Sequence, residues 1–114
     1  MNDCIFCKIA SGSIPSRKVA DTEDMYAFED TNPQAPVHIL IIPKRHIDST
    51  LSLKKEDAEL IGRITILANE IAVSKGLDRT GFRLLTNTGR NAGQSVFHLH
   101  YHLLGGRTME WPPG

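Results

Sequence analysis

The chain has 114 residues, enough for one compact domain over residues 1–114 and too few for a second independent core. Its 13 basic and 13 acidic residues cancel, so no overall field gathers a long polyanion, and neither DNA nor RNA is an expected partner. Hydrophobic residues at 40% and charged ones at 23% fit an ordinary soluble domain, and the apolar run from Val37 to Ile42 is far too short to span a bilayer, so no membrane role is expected.

The start, Met1-Asn2-Asp3-Cys4, lacks the basic region and long apolar core of a secretory signal, so a cytoplasmic location is expected. Ile5 to Ala10 is predicted as a short helix, closed by the break Ser11-Gly12-Ser13-Ile14-Pro15. Arg17 to Asp21 and Met25 to Glu29 are predicted strands joined by the polar turn Thr22-Glu23-Asp24, and Asn32-Pro33-Gln34-Ala35-Pro36 forces a loop. A β-branched strand follows from Val37 to Ile42, ended by Pro43. Leu60, Ile64, Leu67 and Ile71 recur at helical spacing between Ser52 and Gly76, marking the one long helix and its core-facing side. Phe82 to Asn87 and Ser95 to Leu104 are predicted strands around a loop rich in Gly and side-chain amides, with Gly105-Gly106 as the stop. The sum is an α+β fold: a five-stranded antiparallel sheet, one long helix and a short N-terminal helix.

Chemistry concentrates in the last strand. Alternation along a strand puts His98, His100 and His102 on one side and Phe97, Leu99, Tyr101 and Leu103 on the other, whereas a helix would scatter them. Imidazole titrates near neutrality, so one ring can attack phosphorus while another handles a proton, and the covalent step needs no metal. Asn87, Gln94 and Ser95 are candidate donors to the developing oxyanion, and Gly89 and Gly93 would let backbone N–H groups approach a phosphate. The rival reading is a zinc site built on the same histidines.

Cys4-Ile5-Phe6-Cys7 allows zinc ligation, thiol redox chemistry or two buried thiols. The strand that precedes a thioredoxin-like motif has no room before Cys4, which favours zinc. Two thiolates fill half of a tetrahedral site. His38 lies inside an apolar strand, while His46 follows Pro43-Lys44-Arg45 in a connection able to approach the N-terminus. The expected structural zinc ligands are therefore Cys4, Cys7, His46 and His98, one ion per chain, leaving His38, His100 and His102 for the reaction.

The run His98-Leu99-His100-Tyr101-His102-Leu103-Leu104 matches the His-φ-His-φ-His-φ-φ signature of the histidine triad superfamily. With Asp30 to His38, Ile42 to His46, Gly93 to Val96, Gly105 to Arg107 and Trp111-Pro112-Pro113-Gly114, the chain resembles the histidine triad nucleotide-binding protein branch along nearly its whole length. The C-x-x-C pair is typical of zinc-carrying members. This resemblance implies a homodimer with a joined ten-stranded sheet. It also implies a bound purine nucleotide, AMP or GMP, and hydrolysis of nucleoside 5′-phosphoramidates or aminoacyl-adenylates. By motif position His100 resembles the nucleophile and His102 the phosphate-contacting partner, with His38, Asn87, Gly93, Gln94 and Ser95 in support. Asp30 matches the position that holds the ribose hydroxyls, Ile5, Phe6 and Ile9 the base pocket, and Trp111 a tail that reaches toward the partner's site. Two other readings stand beside phosphoramidase: a dinucleoside polyphosphate hydrolase using the same nucleophile, and a nucleotide sensor or scaffold whose turnover is incidental.

Overall fold

A computed structural model describes residues 3–114. Helix α1 spans Ile5–Ser11. The Cys4 side chain accepts the Cys7 N–H at its start, and Gly12, at φ 85°, ends it in the left-handed conformation that glycine adopts without strain. Strands β1 (Lys18–Asp21) and β2 (Met25–Glu29) form a hairpin in which Thr22 and Met25 exchange hydrogen bonds across the expected polar turn. Strand β3 (Val37–Pro43), helix α2 (Ala58–Ser74), strand β4 (Phe82–Thr86) and strand β5 (Tyr101–Gly105) complete the fold. The five strands make one antiparallel sheet in the order β1-β2-β3-β5-β4.

β3 is the centre of that sheet and is buried on both sides, which explains its unbroken apolar run. Ile39 and Ile41 join Met25, Ala27 and Leu103 beneath Leu60, Ile64, Leu67 and Ile71 of α2. On the opposite face, Leu40 and Ile42 pack with Tyr26 and Phe28 under Phe6 and Ile9 of α1. The return from α2 to the sheet is tight: a Cβ at Gly105 would lie 2.5 Å from the buried Leu77 side chain, which would have to shift to admit it. Among the described residues β4 has one partner strand and an open edge. None of the described helices is long and apolar enough to cross a membrane.

One predicted element is shortened. Ser95 to Leu104 reads as a single strand, yet the ladder begins only at Tyr101, paired with Ile41 and Thr86. Upstream, the Leu99 N–H turns to the Ile47 carbonyl at 2.6 Å, and the His100 carbonyl accepts the Thr86 hydroxyl at 2.8 Å. Pro43, lacking an N–H, closes β3 at the same level. The alternation of sides still holds: Leu99 and Leu103 enter the α2 core, while the His98 and His100 rings meet Phe6 of α1.

Candidate active site

The extended segment 98–102 sets two groups of side chains next to each other. In the first, Cys4, Cys7, His46 and His98 bring their ligand atoms within 4.8 Å of one another. His98 Nδ1 lies 3.3 Å from Cys4 Sγ and 3.4 Å from Cys7 Sγ, and His46 Nδ1 lies 3.4 Å from Cys7 Sγ. Ligands around tetrahedral zinc sit roughly 3.4–3.8 Å apart, given metal–ligand bonds of about 2.0–2.3 Å. The far nitrogens fit as well: His98 Nε2–H donates to the Pro43 carbonyl and His46 Nε2–H to Asp48, each at 2.8 Å. That wiring leaves both Nδ1 lone pairs facing the thiols, as a metal centre requires. The two thiols and two imidazoles fit a soft, closed site.

The second group is a chain of hydrogen bonds. The Gln34 N–H donates to His38 Nδ1 at 2.9 Å, so the His38 proton sits on Nε2. From there it faces His102 Nδ1 at 2.9 Å, with an Asp30 oxygen at 3.3 Å. His102 then carries its own proton on Nε2, a buried atom with no partner among the described residues. An unmatched buried donor costs about 1–3 kcal/mol, and a ligand oxygen would relieve it. Burial, reinforced by the neighbouring His100 and His38, pulls the His102 pKa down to about 4, against the opposing pull of Asp30. Burial also lowers that of His38, again opposed by Asp30. Both rings are neutral at pH 7.

Between these groups stands His100. Its Nδ1–H donates to the His98 carbonyl at 2.8 Å, so in the neutral ring the lone pair is on Nε2. Its ring lies 5.0 Å from that of His102 and 5.0 Å from that of Phe6. His100, His102 and Ser95 form the polar end of a cleft of about 340 Å³. Ile5, Phe6, Ile9, Phe28 and Leu40 supply its apolar lining, and Asp30 lines it as well. That volume and mixed lining suit a small molecule with one flat apolar part and one polar part. A larger hollow of about 710 Å³ over Arg45, His46 and Asp57 touches neither His100 nor His102.

The remaining sequence candidates are placed differently. Gln94 is buried, and its amide is committed: Nε2 donates to the Asp48 and Val96 carbonyls at 2.7 and 3.1 Å, and Oε1 accepts the Gly89 N–H at 2.9 Å. It builds the loop rather than offering a donor to the cleft. The Gly93 N–H is likewise taken by the Arg90 carbonyl at 3.0 Å, and φ of 83° is what residue 93 needs of glycine. Asn87 directly follows β4, and neither it nor Trp111 is a lining residue of the cleft. Trp111 is 81% exposed, in a tail held by the Arg83 side chain to the Glu110 carbonyl. Sequence reasoning missed Asp48, Thr86 and the Gln34 amide. Asp48, two residues after His46, carried the one available signal.

Residues 3–111 match the family model described as scavenger mRNA decapping enzyme C-term binding. The chain is 46% identical over 112 residues to an uncharacterized HIT-like protein of Synechocystis, covering 98% of this chain and 97% of that one. To the protein HitA of Neisseria gonorrhoeae it is 47% identical over 105 residues, covering 92% and 97%. The crystal structure of a HIT family hydrolase from Legionella pneumophila superposes with a TM-score of 0.97 at 48% identity, over 98% of this chain and 100% of that one. A histidine triad protein from Clostridium difficile gives 0.93 at 47% identity, over 96% of each chain.

Proposed function

The chain belongs to the histidine triad (HIT) family, and on that premise we propose that it cleaves nucleoside 5′-phosphoramidates to release AMP or GMP. The carrying observation is the tautomer of His100: with Nδ1–H held by the His98 carbonyl, Nε2 presents a lone pair beside the cleft. That nitrogen attacks the α-phosphorus, the phosphorus–nitrogen bond breaks and the amine departs with a proton taken from solvent, which the hydrolysis that follows gives back. Water then cleaves the nucleotidyl-imidazole, returning His100. The unmatched Nε2–H of neutral His102 donates to a phosphoryl oxygen, and Ser95 is a second donor at the same end. His38 fixes the His102 tautomer, and Asp30 accepts ribose hydroxyls. Ile5, Phe6 and Ile9 take the purine. Gln94, Gly93 and Asn87 shape the loop that presents Ser95.

Zinc on Cys4, Cys7, His46 and His98 belongs to the same proposal, supported by the two-sulfur, two-nitrogen donor set. It supplies cross-linking of the fold. A homodimer, with β4 covered and Trp111 reaching the partner's cleft, is supported by the open β4 edge and the exposed tail. The deciding experiment is turnover of an adenosine phosphoramidate by His100→Ala, expected to fall by about 10⁴-fold or more while AMP still binds. Retained turnover would remove His100 from the reaction. Comparing kcat/KM for the phosphoramidate with that for a dinucleoside polyphosphate fixes the leaving group; a preference for the latter would overturn the phosphoramidate assignment.

A further inference from the structure

One residue takes part in both groups of the site. The His98 ring is 0% exposed, set between the two thiols and the Pro43 carbonyl, while its own backbone carbonyl accepts the Nδ1–H of His100. The peptides around it are held too, by Leu99 N–H on Ile47 and by the Thr86 hydroxyl on the His100 carbonyl. The His98 ring and the carbonyl that sets the nucleophile's tautomer therefore belong to one residue. A second link runs through α1. Cys4 and Cys7 bracket its first turn, and Phe6 between them meets the His98 ring at 6.0 Å and the His100 ring at 5.0 Å, edge-on to both. With 7 residues α1 is too short to hold itself, so its position depends on what its ends and its apolar face are tied to.

We infer that the Cys4, Cys7, His46 and His98 centre positions the reaction as well as the fold, with His98 as the positioning residue. Through its carbonyl it sets the tautomer of His100, and through Phe6 the centre sets the wall of the nucleotide cleft. When Nδ1 is engaged by a metal, the His98 proton stays on Nε2 and the Pro43 bond is kept. With Nδ1 disengaged, the ring has access to the tautomer that donates to a thiol and turns a lone pair on the Pro43 carbonyl. Two acceptors then face each other at 2.8 Å, and the ring must move. The inference rests on the nucleotide-hydrolase reading only in calling the cleft a nucleotide site.

The test uses the zinc-loaded protein, the same protein stripped by a chelator, and the stripped protein given back one equivalent of zinc. Two readouts apply: the imidazole nitrogen–proton NMR spectrum, which reports the His100 tautomer, and the Kd for AMP. We expect the loaded protein to show His100 as a single Nδ1–H tautomer. On stripping, with sheet amides unchanged, the tautomers should mix and AMP should bind at least ~5-fold more weakly, with zinc restoring both, in line with the 10- to 100-fold reach of outer-shell changes. An unchanged tautomer and Kd would overturn the inference. If stripping disturbs the sheet amides, His46→Ala decides, because it removes the exposed ligand and leaves the cleft lining intact. It should shift both readouts the same way by about two- to threefold, and no shift overturns the inference. Failure of the loaded protein to bind AMP at all would defeat the nucleotide reading, while the tautomer arm would still decide this one.

Discussion

The chain carries two clusters that a distance criterion treats alike. Cys4, Cys7, His46 and His98 form one; Asp30, His38 and His102 form the other; in each the possible ligand atoms lie within 4.8 Å of one another. What differs is the nitrogen on the far side of each ring. In the first cluster the far nitrogens donate, to Pro43 and to Asp48, so lone pairs converge on a common point. In the second, the far nitrogen of His38 accepts from the Gln34 N–H, which puts a proton on the atom facing Asp30 and His102. A cation would meet N–H there. The distal hydrogen bond, more than proximity, separates a metal centre from a proton relay.

The contrast can be broken most forcefully at a thiol. Cys7→Ala should take the zinc content from about one per chain to near zero and lower Tm by on the order of 10 °C, read by elemental analysis and calorimetry. No change in either would mean that the first cluster holds no structural metal. Acid should act through the second cluster. The His102 pKa in the fold, about 4, lies below its unfolded value of 6.5, so the unfolded state binds more protons between those limits. Stability is therefore full above about pH 6.5 and falls, by on the order of 2–3 kcal/mol, as pH drops toward 4. His102→Asn should flatten that part of a denaturation-versus-pH profile; an identical slope would refute the assignment.

Smaller effects should follow from the wiring itself. His38→Asn removes the donor to His102 Nδ1 and should reduce kcat about 10- to 100-fold with zinc content unchanged. Zinc loss in this variant would show that the clusters are not separable. Asp30→Asn should cost the least, a rise in KM of about 3- to 10-fold, since Asp30 lines the cleft and its proposed role is to hold the ribose. A kcat effect larger than the KM effect would move Asp30 from the ribose to the relay.

Much of this arrangement is local enough to read along the chain. The Leu60, Ile64, Leu67, Ile71 spacing gives α2 because helical burial repeats every three to four residues, and all four do lie in the core. The run from Val37 to Ile42 gives a strand because it is buried on both faces, under α1 and α2 alike. What escapes is whatever depends on a partner far along the chain. The strand expected from Ser95 stops short because the Leu99 amide is claimed by Ile47, a residue outside any strand. Gln94 looks like a donor by residue type, but its amide is used up by Gly89, Asp48 and Val96. The tautomers of His38, His98 and His100 are set by backbone groups of Gln34, Pro43 and His98, and backbone groups are the same in every sequence.

The open edge of β4 has a consequence for handling the protein. Residues 82–86 are half-buried throughout and leave one side of their backbone unpaired in the single chain, the kind of edge on which another strand can template. In the proposed homodimer a second copy would cover that edge, and the hazard usually tied to concentrated solutions would be reversed. Dilution of such a dimer would free the edge, so the weakest sample would be the most fragile one, and a newly made chain would be most exposed to misassembly before it met its counterpart.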